Sequence, residues 1–364
     1  TTPFKPATAA TLDPGAFTDE FNLFAFGPNT ASGGYTLAPA RFYAINGDVV
    51  GLMTGELQAG GWLLGQTLYS AGGAVWIKAG RDIINSGHNL GESGVASTGS
   101  SGGAQATSNL IVHNAETDVS IVSAGRDIVY SSFTIAGPGT LEISAGRNIV
   151  MDNRASVTSI GPAVAGDTRP GASIAMMAGM GSGVDWAAVR TRYLDPANLA
   201  DPQRPLAGQE GKAAKIHTKE LADWLKGRYG VAGTDDEVLA YFDGLAPEQQ
   251  RIFLRQVYYA ETREGGREYN DADGPRFGSY LRGRDMIATL FPDTDASGTE
   301  IERTGDIIMF GGSGVRTNVG GNIEMMAPGG RIAVGVQGEV PPASAGVVTQ
   351  GAGDIRLFSE QSIL

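Results

Sequence analysis

The chain has 364 residues and no cysteine, so disulfides, thiol catalysis and cysteine-bound zinc are excluded. Charged residues make up 18% and apolar residues 41%, and the 54 glycines are about twice the usual share of ~7%, so the chain has matter for a core. A net charge of −12 argues against a general nucleic-acid binder and against docking on anionic lipid, both of which need a basic footprint.

The opening residues, TTPFKPATAATLDPGAF, carry neither a methionine nor a signal-peptide pattern. The chain is therefore expected to be an excerpt of a longer one. No apolar run reaches the length that spans a bilayer. A first short motif, NGDVVGL, stands at 46–52. One phrase then recurs: VWIKAGRDII at 75–84, SIVSAGRDIV at 120–129 and LEISAGRNIV at 141–150. Apolar residues alternate on both sides of its glycine, which predicts two short strands with one buried face each. Gly80, Gly125 and Gly146 mark the corner between the strands, where the backbone is expected to turn sharply. Asp82, Asp127 and Asn148 follow, residues whose side chains bond nearby backbone amides in turns. Ile83, Ile128 and Ile149 come next and coincide when the copies are aligned. A Gly/Ser-rich stretch at 91–109 separates the first two copies and reads as a surface loop. Weaker echoes close the chain: TGDIIMF at 304–310, GGNIEMM at 320–326, GGRIAVG at 329–335 and GAGDIRLF at 351–358.

A strand–corner–strand unit cannot bury its apolar face alone, but stacked copies can. The expected fold is mainly β, a right-handed parallel β-helix in which Ile83, Ile128 and Ile149 form an interior ladder. Asp82, Asp127 and Asn148 would form an exterior corner column. Irregular spacing is accommodated if one coil holds more than one corner. An antiparallel sandwich is the rival fold. Exact repetition in register favours stacking, and glycine lacks the strict period of three that collagen needs.

Between 184 and 298 the pattern changes. These residues hold 15 of the 27 Lys+Arg and 19 of the 39 Asp+Glu but only 12 of the 54 glycines. VDWAAVRTRYL opens the block as a first helix. TKELADWLKGRYG puts Leu221, Trp224 and Leu225 on one face, with Thr218 as N-cap and Gly230 as stop. TDDEVLAYFDGL begins with a capping box, Thr234 and Glu237. APEQQRIFLRQVYYAETR starts at Pro247 and carries a stripe of Ile252, Phe253, Val257 and Tyr258. FGSYLRGRDMIATLF reads as a further helix. SIAMMAGMG at 173–181 and NIEMMAPGG at 322–330 share one pattern, so the repeat resumes beyond the block. The expected organisation is a first β-helix part at 1–183, an inserted α-helical domain at 184–298 and a continuation at 299–364.

SAGRDI, SAGRNI and GAGDIRL resemble the repeats of the filamentous haemagglutinin family, across about 75–180 and 300–358. These are large adhesin-like exoproteins exported by two-partner secretion in Gram-negative bacteria. The interrupted arrangement resembles a distal domain of some members. The resemblance implies a right-handed parallel β-helix, a secreted or cell-surface location, export through an outer-membrane transporter, and roles in adhesion, biofilm formation or contact-dependent competition. The family's amino-terminal secretion domain is not evident here.

Candidate chemistry is sparse. His88, His113 and His217 lie far apart and read as isolated loop or surface histidines, without metal-ligand spacing. GGSGVRT and GMGSGVD lack the G-x-S-x-G of a nucleophile elbow. No phosphate loop is present, and the glycine-rich GGSGVRTNVGGN lacks the recurring aspartates of a calcium β-roll. No cofactor and no metal is expected. A polysaccharide-cleaving β-helix needs clustered outward carboxylates, and Asp82 and Asp127 stack with an asparagine instead. TDDE at 234–237 reads as favourable charge at a helix start, and NDAD at 270–273 as a solvated loop. The aromatic residues of VYYAE and DWLKGRY read as core rather than as a sugar-stacking surface. The expected function is a secreted adhesin-like segment, not an enzyme. Its β-helical stalk would display the helical domain to a cell-surface protein or glycan, or to another copy of itself. A polysaccharide-acting enzyme, or a delivery or processing segment of a toxin exoprotein, is the alternative.

Overall fold

The structure is a computed structural model that describes residues 39–52, 56–58, 61–62, 73–87, 106–107, 109–152, 155–162, 167–181, 183–295, 297–335 and 346–364. Three parallel sheets carry the repeat. The first stacks seven strands: Ala40–Ala44, Val75–Ala79, Val119–Ala124, Thr140–Ala145, Ser173–Met177, Ile323–Ala327 and Ile355–Ser359. The second stacks six: Val49–Val50, Ile83–Ile84, Ile128–Val129, Ile149–Met151, Ile307–Met309 and Ile332–Val334. The third stacks five: Asn109–Val112, Phe133–Ala136, Ser156–Gly161, Gly314–Thr317 and Gly346–Thr349. From Val75 onward the chain visits the three sheets in turn and then begins again. This cycle of parallel strands is β-helix-like.

The register explains the repeated phrase. Ile128 pairs with Ile83 on one side and Ile149 on the other, and Ile149 pairs with Ile307, which pairs with Ile332. Ile77, Val122 and Ile143 form the matching column in the first sheet. All of these side chains are buried in one continuous apolar core. Burying each isoleucine contributes about 1.5–3 kcal/mol, and the β-branched chains suit the pleat. The echoes fall into two groups. GDVV, GDII and GGRI lead into the second sheet, whereas GGNI and GAGDI lead into the first, so one coil holds two such corners and the spacing is uneven. The two Met-Met rungs flanking the charged block pair in register, Met176 with Met325 and Met177 with Met326.

The Gly/Ser-rich stretch is not loop throughout: Ala106–Thr107 and Asn109–Val112 are strands. Residues 88–105, with His88, lie outside the described residues. A small antiparallel sheet also joins Glu56–Gln58 to Gly61–Trp62 and to Ala106–Thr107.

The chain forms two compact units, one of residues up to Gly181 and from Arg303 onward, the other Ser182–Glu302. Within the first, Gly179 and Gly305 lie side by side. A Cβ on Gly305 would stand 2.5 Å from the Gly179 nitrogen and 2.3 Å from the Arg147 carbonyl oxygen. The backbone leaves the sheets and rejoins them at adjacent points, although more than a hundred residues intervene.

The second unit contains five α-helices among its described residues: α1 Trp186–Leu194, α2 Thr218–Tyr229, α3 Asp235–Asp243, α4 Pro247–Asn270 and α5 Leu281–Leu290. Asp185 caps α1, accepting from the Ala188 N–H at 2.7 Å. Thr234 and Glu237 form the capping box of α3. Pro247 starts α4, and Gly230 ends α2 in the left-handed region with φ of 68°. Thr218 is the first helical residue of α2 rather than its cap. His217 takes the cap position without a side-chain bond, because its ring is engaged elsewhere. In FGSYLRGRDMIATLF only the part from Leu281 is helical, since Gly278 at φ 72° turns the preceding residues away. Gly265 of α4 faces Gly283 of α5, where a Cβ would come 2.7 Å from the Gly283 nitrogen. The missing side chain lets the two helices touch.

Candidate functional site

Two arrangements concentrate polar chemistry, the corner column of the sheets and a buried ionic cluster among the helices. At the corner, Gly80, Gly125 and Gly146 are stacked. The sharp turn expected of them is not what requires glycine, since none has a positive φ. The reason is close approach. A Cβ on Gly125 would stand 2.2 Å from the Gly80 carbonyl oxygen, and one on Gly146 would stand 2.1 Å from that of Gly125. Each of these residues also donates its N–H to the coil before: Gly125 to Ala79 at 2.9 Å, and Gly146 to Ala124 at 2.9 Å.

The residues after the glycines form a ladder. The Asp48 carboxylate accepts the Asp82 N–H at 3.0 Å, Asp82 accepts the Asp127 N–H at 3.0 Å, and Asp127 accepts the Asn148 N–H at 2.9 Å. The Asn148 side-chain oxygen accepts the Asp306 N–H at 3.0 Å, and Asp306 accepts the Arg331 N–H at 2.9 Å. The amides served belong to the next coil, not to the residue's own turn as the sequence suggested. Arginines complete the pattern. Arg81 pairs with Asp48, Arg126 with Asp82, Arg147 with Asp127 and Arg331 with Asp306. Where the acceptor is the neutral Asn148, the next coil carries Gly305 in place of an arginine. Charge therefore matches rung by rung. The Asp82 N–H and the Arg81 guanidinium hold Asp48 below the usual carboxylate range, against a smaller opposing effect of burial. Hydrogen bonding to Asp82 raises Arg126 above its ordinary value. Each carboxylate already serves an amide and a guanidinium, so the column offers no free acid–base pair.

In the helical unit, Glu261 of α4 is 0% exposed. Its carboxylate accepts from Arg282 Nε at 2.8 Å and from His217 Nε2 at 2.8 Å. Arg282 of α5 also donates to Glu268 at 2.7 Å, as does Arg276 at 2.7 Å. Burial alone would push Glu261 up, but the Arg282 and His217 hydrogen bonds outweigh it and hold the carboxyl below its ordinary range. Nearby, Arg192 of α1 donates to Asp285 and Thr289 of α5. His217, expected as an isolated loop or surface residue, does lie just before α2 but is buried there, and it joins the α2 start to α4.

His113, for which a loop or surface position was likewise expected, lies just past the strand Asn109–Val112 and is buried. Its Nδ1 donates to the Pro138 carbonyl at 2.8 Å, so in the neutral ring Nε2 accepts from Ser120 Oγ at 2.7 Å. Ser120 Oγ in turn accepts the Val75 N–H at 2.9 Å. Ser120 is fully buried where neighbouring coils place Leu141 and Ile174, so its hydroxyl serves this network rather than an outside reactant.

No family model, curated protein or solved structure matches the chain. Among the described residues no group of three His, Cys, Asp or Glu stands ready to hold a metal ion. None of the described helices is long and apolar enough to cross a membrane. Aromatic residues of α2, α3 and α4 pack on one another, with Trp224 5.5 Å from Phe253 and 6.3 Å from Phe242 between ring centres, whereas Tyr269 and Phe277 are exposed. TDDE sits at the start of α3, and NDAD is exposed at the end of α4.

Proposed function

We propose that the chain is an adhesin-like structural segment of a secreted or cell-surface exoprotein related to the filamentous haemagglutinins. In this reading the three sheets close into a right-handed parallel β-helix that serves as a stiff stalk. Residues 184–298 are a domain inserted in one loop of it, displayed for recognition of a cell-surface protein or glycan. Export would run through an outer-membrane transporter, and a chain without cysteine suits threading in the unfolded state. The observation that carries the reading is the seam at Gly179 and Gly305. The backbone departs and returns at one point of a coil, so the sheets continue in register past the helices. A rigid scaffold bearing a charge-rich extension is the usual division between support and binding element. The commitment of Asp82 and Asp127 to arginine and amide partners weighs against a polysaccharide-cleaving pair at that column.

The test replaces residues 184–298 with a short Gly/Ser linker and measures adhesion to cells. The reading expects the far-UV spectrum to keep its β character while adhesion falls at least tenfold. Adhesion at the parent level would remove the helical unit from recognition.

A further inference from the structure

The outward face of the first sheet carries an arrangement that neither the ladder nor the helices explain. Phe42 and Ile77 belong to the core, and the alternate positions beside them hold Arg41 and Tyr43 on one strand and Trp76 and Lys78 on the next. The register sets Arg41 opposite Trp76 and Tyr43 opposite Lys78, so cations and rings alternate in a two-by-two pattern. The Arg41 guanidinium carbon lies 5.1 Å from the Trp76 ring centre. Lys78 Nζ lies 4.9 Å from the same ring and 5.6 Å from that of Tyr43. Trp76 Nε1 donates to the Val119 carbonyl at 3.0 Å, which fixes the indole in its plane. Tyr43 is 47% exposed.

The charge pattern is what marks this patch. In the same unit Arg81, Arg126, Arg147, Arg169, Arg331 and Arg356 each hold a carboxylate. Arg41 and Lys78 hold none among the described residues, and rings are their partners. In a chain of net charge −12, two cations that hold no carboxylate among the described residues, beside the exposed ring of Tyr43 and the part-buried ring of Trp76, form a local positive site in a negative field.

We infer that this quartet binds a short carboxylated saccharide of the uronic-acid type. A sugar ring presents an apolar face that lies on aromatic rings, and its carboxylate takes charge-assisted hydrogen bonds from arginine and lysine. Neighbouring strands lie ~4.8 Å apart and alternate residues of one strand ~6.8 Å apart, so the patch matches one or two sugar rings. A long polyanion such as nucleic acid meets the repulsion of the whole chain, whereas one or two carboxylates are matched by two cations. The site goes beyond the role proposed for the helical unit and is tested apart from it.

Calorimetric titration of the full chain with trigalacturonate at low salt tests the site, with cellotriose as the neutral trimer. Saturable binding of trigalacturonate is expected, with cellotriose at least tenfold weaker. Lys78→Gln and Tyr43→Ala should each weaken the acidic trimer at least fivefold at an unchanged thermal midpoint. Arg331→Gln, which removes the partner of Asp306, should leave the affinity within twofold. The inference is overturned by the absence of saturable binding, by equal binding of the two trimers, or by both patch variants titrating like the parent. A chain that fails this titration yet still adheres to cells loses the sheet site and keeps the display function.

Discussion

A single methyl group at Gly125 would be placed 2.2 Å from a carbonyl oxygen of the neighbouring coil, and the stacked backbone has no flexible atom there to yield. Gly125→Ala is therefore expected to cost about 2 kcal/mol or more in urea unfolding. Gly47→Ala, with nothing within 4 Å of the added Cβ, should stay within about 0.5 kcal/mol of the parent. The ladder gives a second residue-scale expectation. Asn148 Nδ2 donates to Asp127, and the next coil supplies Gly305 rather than an arginine. Asn148→Asp would replace that donor with an unpaired carboxylate beside Asp127, whose charge raises the new group's pKa in the folded state. Stability should then be intact below the carboxylate range and fall by about 1–2 kcal/mol as pH rises through it. A denaturation series from pH 3 to pH 7 measures this. The glycine and Asx positions were legible because three copies of AGRD or AGRN put them in register. Their reasons were not, because close approach and the next-coil amide belong to the partner coil. The arginine of the phrase carried the missing signal: its repetition beside each aspartate is the mark of charge pairing between coils.

At the level of elements, strands and helices were read from period and caps, since period two, the capping box at Thr234 and Pro247 at the start of α4 are local facts. Buried polar contacts were not legible. His217, Glu261 and Arg282 meet only after α2, α4 and α5 pack, and their spacing of 44 and 21 residues carries no pattern. Removing one partner of a buried pair strands the other, so Glu261→Gln is expected to destabilise the helical unit by about 3–5 kcal/mol in thermal unfolding. The folded Glu261 titrates below its ordinary value of 4.5. Its contribution is present above that value and is lost as pH falls through the lower folded one. The helical signal should accordingly weaken at acid pH in the parent, and less steeply in Glu261→Gln.

At the scale of the whole molecule, the first unit rests on parallel strands lying in register, for the apolar columns, the Asx ladder and the seam at Gly179 and Gly305 all presuppose it. A chain without cysteine offers a direct measurement. Ser123 and Ser144 are register partners on adjacent coils, with their hydroxyls 3.1 Å apart, whereas Lys78 stands one coil further from Ser144. Neighbouring strands are ~4.8 Å apart, within disulfide reach, and strands two coils apart are about twice that, beyond it. In mild oxidant, Ser123→Cys with Ser144→Cys should form an intramolecular disulfide, read by free-thiol titration and by mass before and after reduction. Lys78→Cys with Ser144→Cys should keep both thiols free. A cross-link in the second pair without one in the first would contradict the stacked register.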